Sequence, residues 1–307
     1  LNRSIQGLYP PGSTIKPMVA LAGLAEGFVT NKSKTFCPGH YKLPNVKRKF
    51  NDWKRTGHGN VDMKDSIAQS CDVFFYDLAD KMGIDKLHDN LTLFNFGKKT
   101  GIDIPGEKGG IMPSKSWKKI NRDEPWYRGE TLIAGIGQGF MTSSPLQLAV
   151  ATAALANKGQ LFQPKLLKGI QASNNSIVEA KNTQSRQIPI KDIHHWEDVI
   201  DGMKMTIYAP KGTARHLNKG LAYTLAGKTG TAQVFGLDAE EQYIAEKYEE
   251  KLRDHALFTG FAPIENPEIA IAVIVENAGS GSSKAAPLGR QVLDVYFDKQ
   301  STNSLTQ

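Results

Sequence analysis

Three short motifs, spread from near one end of the 307-residue chain towards the other, must meet in space if they work together: Ser13-Thr14-Ile15-Lys16, Ser70-Cys71-Asp72 and Lys228-Thr229-Gly230. Together they supply the parts of a serine acyl-transfer site. A serine attacks a carbonyl well only when a nearby base takes its proton and hydrogen-bond donors hold the oxyanion. Ser13 and Lys16 are spaced to share one face of a helix. Gly12 follows Pro10-Pro11, so Ser13 falls where a helix begins and where free N–H groups favour negative charge. Lys16 can act as a base only if burial and cationic neighbours lower its pKa, and Lys228 is the neighbour expected to do so. A site built from both ends of the chain calls for one composite unit rather than a string of modules.

No motif is diagnostic alone. Ser116-Trp117-Lys118-Lys119 and Lys99-Thr100-Gly101 repeat two of the spellings, and Ser173-Asn174-Asn175 and Ser301-Thr302-Asn303 read as Ser-x-Asn. A helix cap or a solvated serine explains any one tetrapeptide. Context separates them. Ser13 follows a Pro-Pro-Gly turn and opens the apolar run Met18 to Ala25, which reads as a buried helix. Lys228 lies in a β-prone run, Tyr223 to Phe235, whose glycines let a ligand approach the backbone. Lys99 sits instead among the turn residues Gly97 to Gly106.

These motifs resemble the transpeptidase domain of class B penicillin-binding proteins, and the elongation type (penicillin-binding protein 2) in particular. Tyr9 to Pro17, Gly135-Ile136-Gly137-Gln138-Gly139, Gly227 to Gly236, and Leu252-Arg253-Asp254-His255 before Phe261-Ala262-Pro263 carry the resemblance, over about residues 1–297. It implies an α+β fold like that of penicillin-binding proteins and serine β-lactamases: an antiparallel sheet flanked by helices, plus a helical lobe. It also implies peptidoglycan D,D-transpeptidase activity on peptides ending in D-Ala-D-Ala, with β-lactams acylating the same serine. Ser13 would be the nucleophile, Lys16 its base and Ser70 a proton relay. Lys228 would supply positive charge, while Thr229, Gly230 and Thr231 would receive the substrate carboxylate. The backbone N–H groups of Ser13 and Thr231 would form the oxyanion hole. One departure stands out: the second motif of the family is usually Ser-x-Asn, and Asp72 accepts hydrogen bonds where an Asn NH₂ would donate them. Its contact to Lys16, or to a substrate amide, is therefore an open question, although some elongation-type relatives resemble the chain here. The resemblance further implies no catalytic cofactor. As partners it implies a SEDS-type glycan polymerase and elongation-complex proteins, and as location the periplasmic side of a bacterial inner membrane.

Two rival functions keep the serine and lysine. A class A β-lactamase needs a glutamate in Glu-x-x-Leu-Asn, and no Glu here stands four residues before an Asn. A β-lactam sensor would acylate without turnover, and resemblance along the whole chain weighs against it. A Ser-His-Asp mechanism finds no support. His88, His194, His195, His216 and His255 lie in no triad motif and read as surface or core residues.

No run of about 18 apolar residues occurs, and the family's anchor, pedestal and first strands have no counterpart before Leu1, so the chain reads as a fragment. The 38 basic and 31 acidic residues give +7. No nucleic-acid motif accompanies that charge, which fits an anionic membrane or carboxylate-rich wall peptides better. The densest basic cluster, Lys47-Arg48-Lys49 with Lys54-Arg55, reads as a solvated loop.

Periodicity and punctuation predict a nucleophile helix over 13–27 and a loop over 28–61. They predict an Asp62-capped helix to about Met82, another over about 85–94, a Ser144-Pro145 helix ending before Gly159, and one over 192–208. Strands are predicted at 223–235, 255–263 and 268–276, a charged helix at 240–253, and a last helix over 286–298 with a frayed tail beyond Asp298. Residues 28–190 would form a helical and loop-rich second lobe, with the site in the cleft between lobes.

Only Cys37 and Cys71 occur, so no disulfide framework exists. Unrelated thiols, one disulfide in an oxidising compartment, and a four-ligand zinc site all remain open. The zinc reading takes Cys37, Asp52, His58 and Cys71. Its choice of Asp52 and His58 follows the resemblance, with His40 of the C-x₂-H spacing as the spare ligand.

Overall fold

A computed structural model describes residues 1–171, 177–179, 184–233 and 249–304. Helix α1 (Arg3–Gln6) leads to a 3₁₀ turn, Gly12–Ile15, which runs directly into α2 (Lys16–Ala25). Pro17 sits in the first turn of α2, where a missing N–H costs no hydrogen bond. Every residue from Lys16 to Leu24 is buried, so α2 is apolar all round and runs through the core.

Residues 28–61, expected to be loop, fold as two small antiparallel ribbons. Strand β1 (Lys34–Cys37) pairs with β4 (Gly59–Asp62), while β2 (His40–Lys42) pairs with β3 (Lys49–Asn51). Strands this short show no alternation that stands out from the Gly and Pro punctuation. Tyr41 and Phe50, opposite one another in the second ribbon, pack on Tyr76 and seat it.

Asp62 caps the next helix as expected, accepting from Asp65 N at 2.9 Å. That helix is interrupted, however. Helix α3 (Met63–Ala68) stops, Ser70 adopts φ +58, and α4 (Asp72–Thr92) starts anew. At Gly83 the backbone leaves the helical region (φ +75, ψ 163), so α4 is two helical segments, as expected from one helix ending near Met82 and another over about 85–94. Helices α5 (Lys115–Arg122), α6 (Arg128–Gly135) and α7 (Pro145–Ala156) follow, α7 opening with the Ser144/Gln147 capping box. Strands β5 (Gln160–Phe162) and β8 (Ser185–Gln187) pair, as do β6 (Gly169–Gln171) and β7 (Ile177–Glu179). Helix α8 (Ile193–Tyr208) lies within the expected span.

The main described sheet joins β9 (Ala226–Ala232), β10 (His255–Ala262) and β11 (Ile269–Val275), antiparallel in the order β11-β10-β9. It is buried on both faces, so successive residues of β10 serve different cores: Leu257 joins the large core around α2, α4, α7 and α8, and Phe258 joins Leu293 under the C-terminal helix. That helix, α9 (Ala286–Ser304), continues through most of the tail expected to fray. The helix expected at 240–253 lies largely outside the described residues; Glu250–Leu252 forms a single 3₁₀ turn. Strand β9 ends the described sheet, with α8 and the 3₁₀ turn of Ser13 against it.

Candidate active site

Two glycines allow the nucleophile turn and β9 to touch. Gly12 has φ +53, and a Cβ there would lie 2.6 Å from the Thr231 carbonyl oxygen. A Cβ on Gly230 would lie 2.8 Å from Thr14 Cγ2. Any side chain at either position would wedge the two segments apart. Gly12 N donates to Gly137 O at 2.8 Å, and Thr14 Oγ1 donates to Pro11 O at 2.6 Å, which closes the turn. Ser13 is left half-exposed, between buried Gly12 and buried Thr14.

Lys16 is fully buried and all three of its N–H donors have acceptors. Nζ donates to Asp72 Oδ1 at 2.7 Å, to Ser70 O at 2.9 Å and to Ser70 Oγ at 3.3 Å. The helix break makes this arrangement available: within a continuous helix the Ser70 carbonyl would be committed to an amide four residues on. Both Asp72 oxygens accept, Oδ2 taking the Trp53 N–H at 2.9 Å. An Asn could satisfy only one of those donors, which answers the question raised by the departure from Ser-x-Asn. Burial pushes the Asp72 pKa up, and the attraction of Lys16 only partly reverses it.

Lys228 is equally buried but poorer in partners. Its Nζ donates to Thr229 O at 2.9 Å, and it forms no ion pair among the described residues. Burial, reinforced by the charge of Lys16, pushes its pKa well below the ordinary lysine value. The charge of Lys16 thus bears on Lys228, which forms no ion pair among the described residues. Thr229 Oγ1 shares a 2.7 Å hydrogen bond with Thr213 Oγ1, and Gln138 Nε2 donates to Thr231 O at 2.9 Å. Sequence reasoning assigned no role to Gln138 or Thr213. The signal for Gln138 was its place between two glycines, Gly137 and Gly139, both of which take φ +74. Thr213 gave no signal and is delivered by the end of α8.

The look-alike motifs have structural employment. Thr100 N and Oγ1 both donate to Glu107 Oε1, and Ser116 Oγ bonds Ser114 Oγ on α5. Ser173-Asn174-Asn175 lies outside the described residues.

A second cluster lies one residue away from this machinery. Potential ligand atoms of Cys37, Asp52, His58 and Cys71 all lie within 4.8 Å of one another. Asp52 Oδ2 is 3.4 Å from both sulfurs, and His58 Nδ1 is 3.5 Å from Cys37 Sγ and 3.4 Å from Asp52 Oδ1. Both cysteines are free thiols. His40 lies outside the cluster, on β2. The hydrogen bond from Cys71 is the largest influence on Cys37, lowering its thiol pKa to about 6. Two thiols, an imidazole and a carboxylate at these separations suit tetrahedral zinc. His58 Nε2 is buried without a partner among the described residues, so the imidazole is held by its cluster-facing nitrogen.

A family model described as "Penicillin binding protein transpeptidase domain" matches residues 1–294. The chain belongs to the penicillin-binding protein transpeptidase family. Among curated members, peptidoglycan D,D-transpeptidase MrdA of Escherichia coli K12 is 42% identical over 296 residues, which cover 96% of this chain and 46% of that protein. MrdA of Acinetobacter baumannii is 43% identical over 305 residues, covering 99% of this chain and 44% of that protein. The chain thus spans a little under half the length of these relatives. Among solved structures, Pseudomonas aeruginosa PBP2 in complex with WCK 5153 matches with 46% identity and a TM-score of 0.84, covering 96% of this chain and 62% of that one. Helicobacter pylori PBP2 in complex with MreC matches with 33% identity and the same TM-score, 0.84, covering 96% and 51%. Membership and the shared penicillin-binding protein fold bear out the α+β expectation. No helix among the described residues is long and apolar enough to cross a membrane.

Proposed function

We propose that this chain is a serine D,D-transpeptidase domain that cross-links peptidoglycan stem peptides through a Ser13 acyl-enzyme and is inhibited by β-lactams. The observation that carries it is the convergence on Lys16 of Ser70 and Asp72, at 3.3 and 2.7 Å, on the turn that presents Ser13 beside β9. Relatives named as D,D-transpeptidases at 42% identity support the same reading.

In this mechanism the donor peptide lies extended along the free edge of β9, as strand-adding ligands do. Lys16 must give up one of its three protons before Nζ can serve as the base. Ser13 Oγ attacks the carbonyl of the penultimate D-Ala while its proton passes to Lys16 Nζ. The C–N bond to the terminal D-Ala then breaks as that nitrogen takes a proton relayed through Ser70. The amine of a neighbouring stem attacks the Ser13 ester, gives up a proton by the reverse path, and restores the serine. The N–H groups of Ser13 and Thr231 hold the oxyanion, each worth about 3–4 kcal/mol of barrier. The carboxylate of the terminal D-Ala meets Lys228, Thr229 and Thr231. Because burial makes Lys228 reluctant to carry charge, an arriving anion draws a proton onto it, and substrate binding takes up that proton.

The Cys37–Asp52–His58–Cys71 cluster is proposed to hold a structural zinc ion. Four protein ligands would leave it no open position, so its contribution is to tie the two ribbons to the Ser70–Asp72 segment. The whole chain is proposed to act as one transpeptidase unit in which residues 28–190 form the second lobe. It would face the periplasm from an inner-membrane anchor and work with a SEDS-type glycan polymerase. Support for such partners comes from the PBP2–MreC complex and from a related "peptidoglycan synthase complex" that coordinates "polymerization and crosslinking".

Labelling with a fluorescent penicillin tests the function. A stable adduct that disappears in Ser13→Ala, with release of D-Ala from a pentapeptide, is expected. Rapid loss of the adduct would indicate a β-lactamase instead, and an adduct without D-Ala release a sensor.

A further inference from the structure

Eight basic residues stand between Lys32 and Arg55 against a single acid, the buried Asp52. That segment alone accounts for the chain's +7; the remainder is balanced. The structure turns this run, which reads as a solvated loop in sequence, into a shaped surface. Lys42 and Lys49 face each other directly across the β2–β3 ribbon, a like-charge pairing that weakens a two-stranded ribbon. Lys47 and Arg48 stand in the turn that joins the two strands, and Arg48 lies 5.6 Å over the Phe50 ring, on the other side of the ribbon from Lys49. None of Lys32, Lys34, Lys42, Lys47, Arg48, Lys49 or Lys54 makes an ion pair among the described residues, and all are exposed. The cationic field also reaches inward: burial first, then the charges of Lys49 and Lys42, hold the His40 pKa below its usual value.

Beside the ribbon runs a groove of about 380 Å³, lined by Lys34 and Phe36 of β1, the phenyl ring 64% exposed, and by Lys42 of β2. Its one carboxylate, Asp77, is neutralised by Lys81 at 2.7 Å. The ribbon is continuous with the candidate active site. Asn51 ends β3, Asp52 enters the thiol cluster, and Trp53 donates its N–H to Asp72 while 58% of its surface stays exposed. A cationic groove with an exposed aromatic ring beside it suits a peptide bearing several carboxylates.

We propose that the outer face of the β2–β3 ribbon and its groove bind the free carboxylates of uncross-linked stem peptides carried on a glycan polymer, holding further stems of the strand whose reacting stem lies at Ser13. The inference rests on the transpeptidase function proposed above and adds a polymer-binding site to it. Such a site favours long, carboxylate-rich strands over short peptides, because each further stem finds a cation without any change at the reacting bond.

The test uses the native protein and its Lys42→Ala/Lys47→Ala/Lys49→Ala variant, with Lys→Arg at the same positions as the charge-retaining control. Purified uncross-linked glycan–pentapeptide polymer is the binding probe, and fluorescent penicillin reports the Ser13 site. At about 0.15 M salt the triple-Ala variant is expected to bind polymer about fivefold more weakly or worse. The Arg variant should bind like the native protein, and acylation by penicillin should be equal in all three. The difference should vanish at about 1 M salt, and a polymer with amidated carboxylates should bind the native protein as poorly as the variant. Unchanged polymer affinity in the triple-Ala variant overturns the proposal. So does weakened binding to vesicles containing anionic phospholipid with polymer binding intact, which would assign the surface to a membrane. A loss of polymer binding and acylation in both the Ala and Arg variants would mean that the ribbon serves folding alone, and also counts against it. Failure of the native protein to be acylated would instead strike the transpeptidase function itself.

Discussion

Lys16 and Lys228 are both fully buried within one cleft, yet the fold treats them in opposite ways. Lys16 is surrounded by a carboxylate, a carbonyl and a hydroxyl, all drawn from the broken helix at Ser70–Asp72. Lys228, in the middle of β9, has the Thr229 carbonyl and forms no ion pair among the described residues. Lys16 thus has three acceptors where Lys228 has one. A buried ammonium without a partner is costly, and under the proposed function Lys228 is a preformed place for a carboxylate.

Removing each lysine separates the two environments most sharply. Lys16→Met should abolish penicillin acylation by at least about 10³-fold and lower stability by about 3–5 kcal/mol, because Asp72 is then a buried carboxylate without its partner. Acylation rates and urea melts measure both. A variant that retained acylation would mean that another group serves as base. Cys71→Ser, at the residue between the two Lys16 partners, is expected to lose bound zinc and about 2–4 kcal/mol, with acylation falling in step. Metal analysis and melting of the same sample check this, and unchanged values in both would rule the zinc out.

Lys228→Met should act with the opposite sign on stability, raising it by about 1–3 kcal/mol at neutral pH while KM for carboxylate substrates climbs. The pH dependence follows from the depressed folded-state pKa. Between that value and the ordinary value in the unfolded chain, the unfolded state holds the extra proton, so native stability rises with pH across that window. The advantage of the Met variant should therefore shrink as pH climbs. Over the same range kcat/KM for a peptide carboxylate should fall in the native protein, since substrate binding requires a proton on Lys228. A flat stability difference between the two proteins from neutral to alkaline pH would show that Lys228 keeps its charge on folding. The smallest effect belongs to Asp72→Asn, which keeps an acceptor for Lys16 but turns an NH₂ towards the Trp53 N–H. About 1–2 kcal/mol should be lost in denaturant melts, and equal stability would mean that Trp53 finds another acceptor.

Much of the architecture was legible because its signals are local. Asp62 and Ser144-Pro145 each open a helix where the residue type predicts one, since capping is satisfied within a single turn. The apolar run from Met18 and the three strands around Lys228, His255 and Ile271 follow from burial patterns that a window of a few residues contains. The four residues proposed from the resemblance as zinc ligands do lie together, within 4.8 Å of one another, whereas spacing alone offered His40 as well.

What escaped the sequence was set by contacts between distant segments. Nothing local breaks the helix at Ser70: that residue takes φ +58 because its carbonyl and hydroxyl are recruited by Lys16, which lies in a different helix. The ribbons of residues 34–62 exist because Tyr41 and Phe50 find Tyr76 on α4, a partner no window around them includes. The sequence by itself determined which chemical groups this protein possesses and which short segments would be helix or strand, since those depend on neighbours along the chain. Only the tertiary structure decided which lysine received the carboxylate, since burial and charge pairing are properties of neighbours in space.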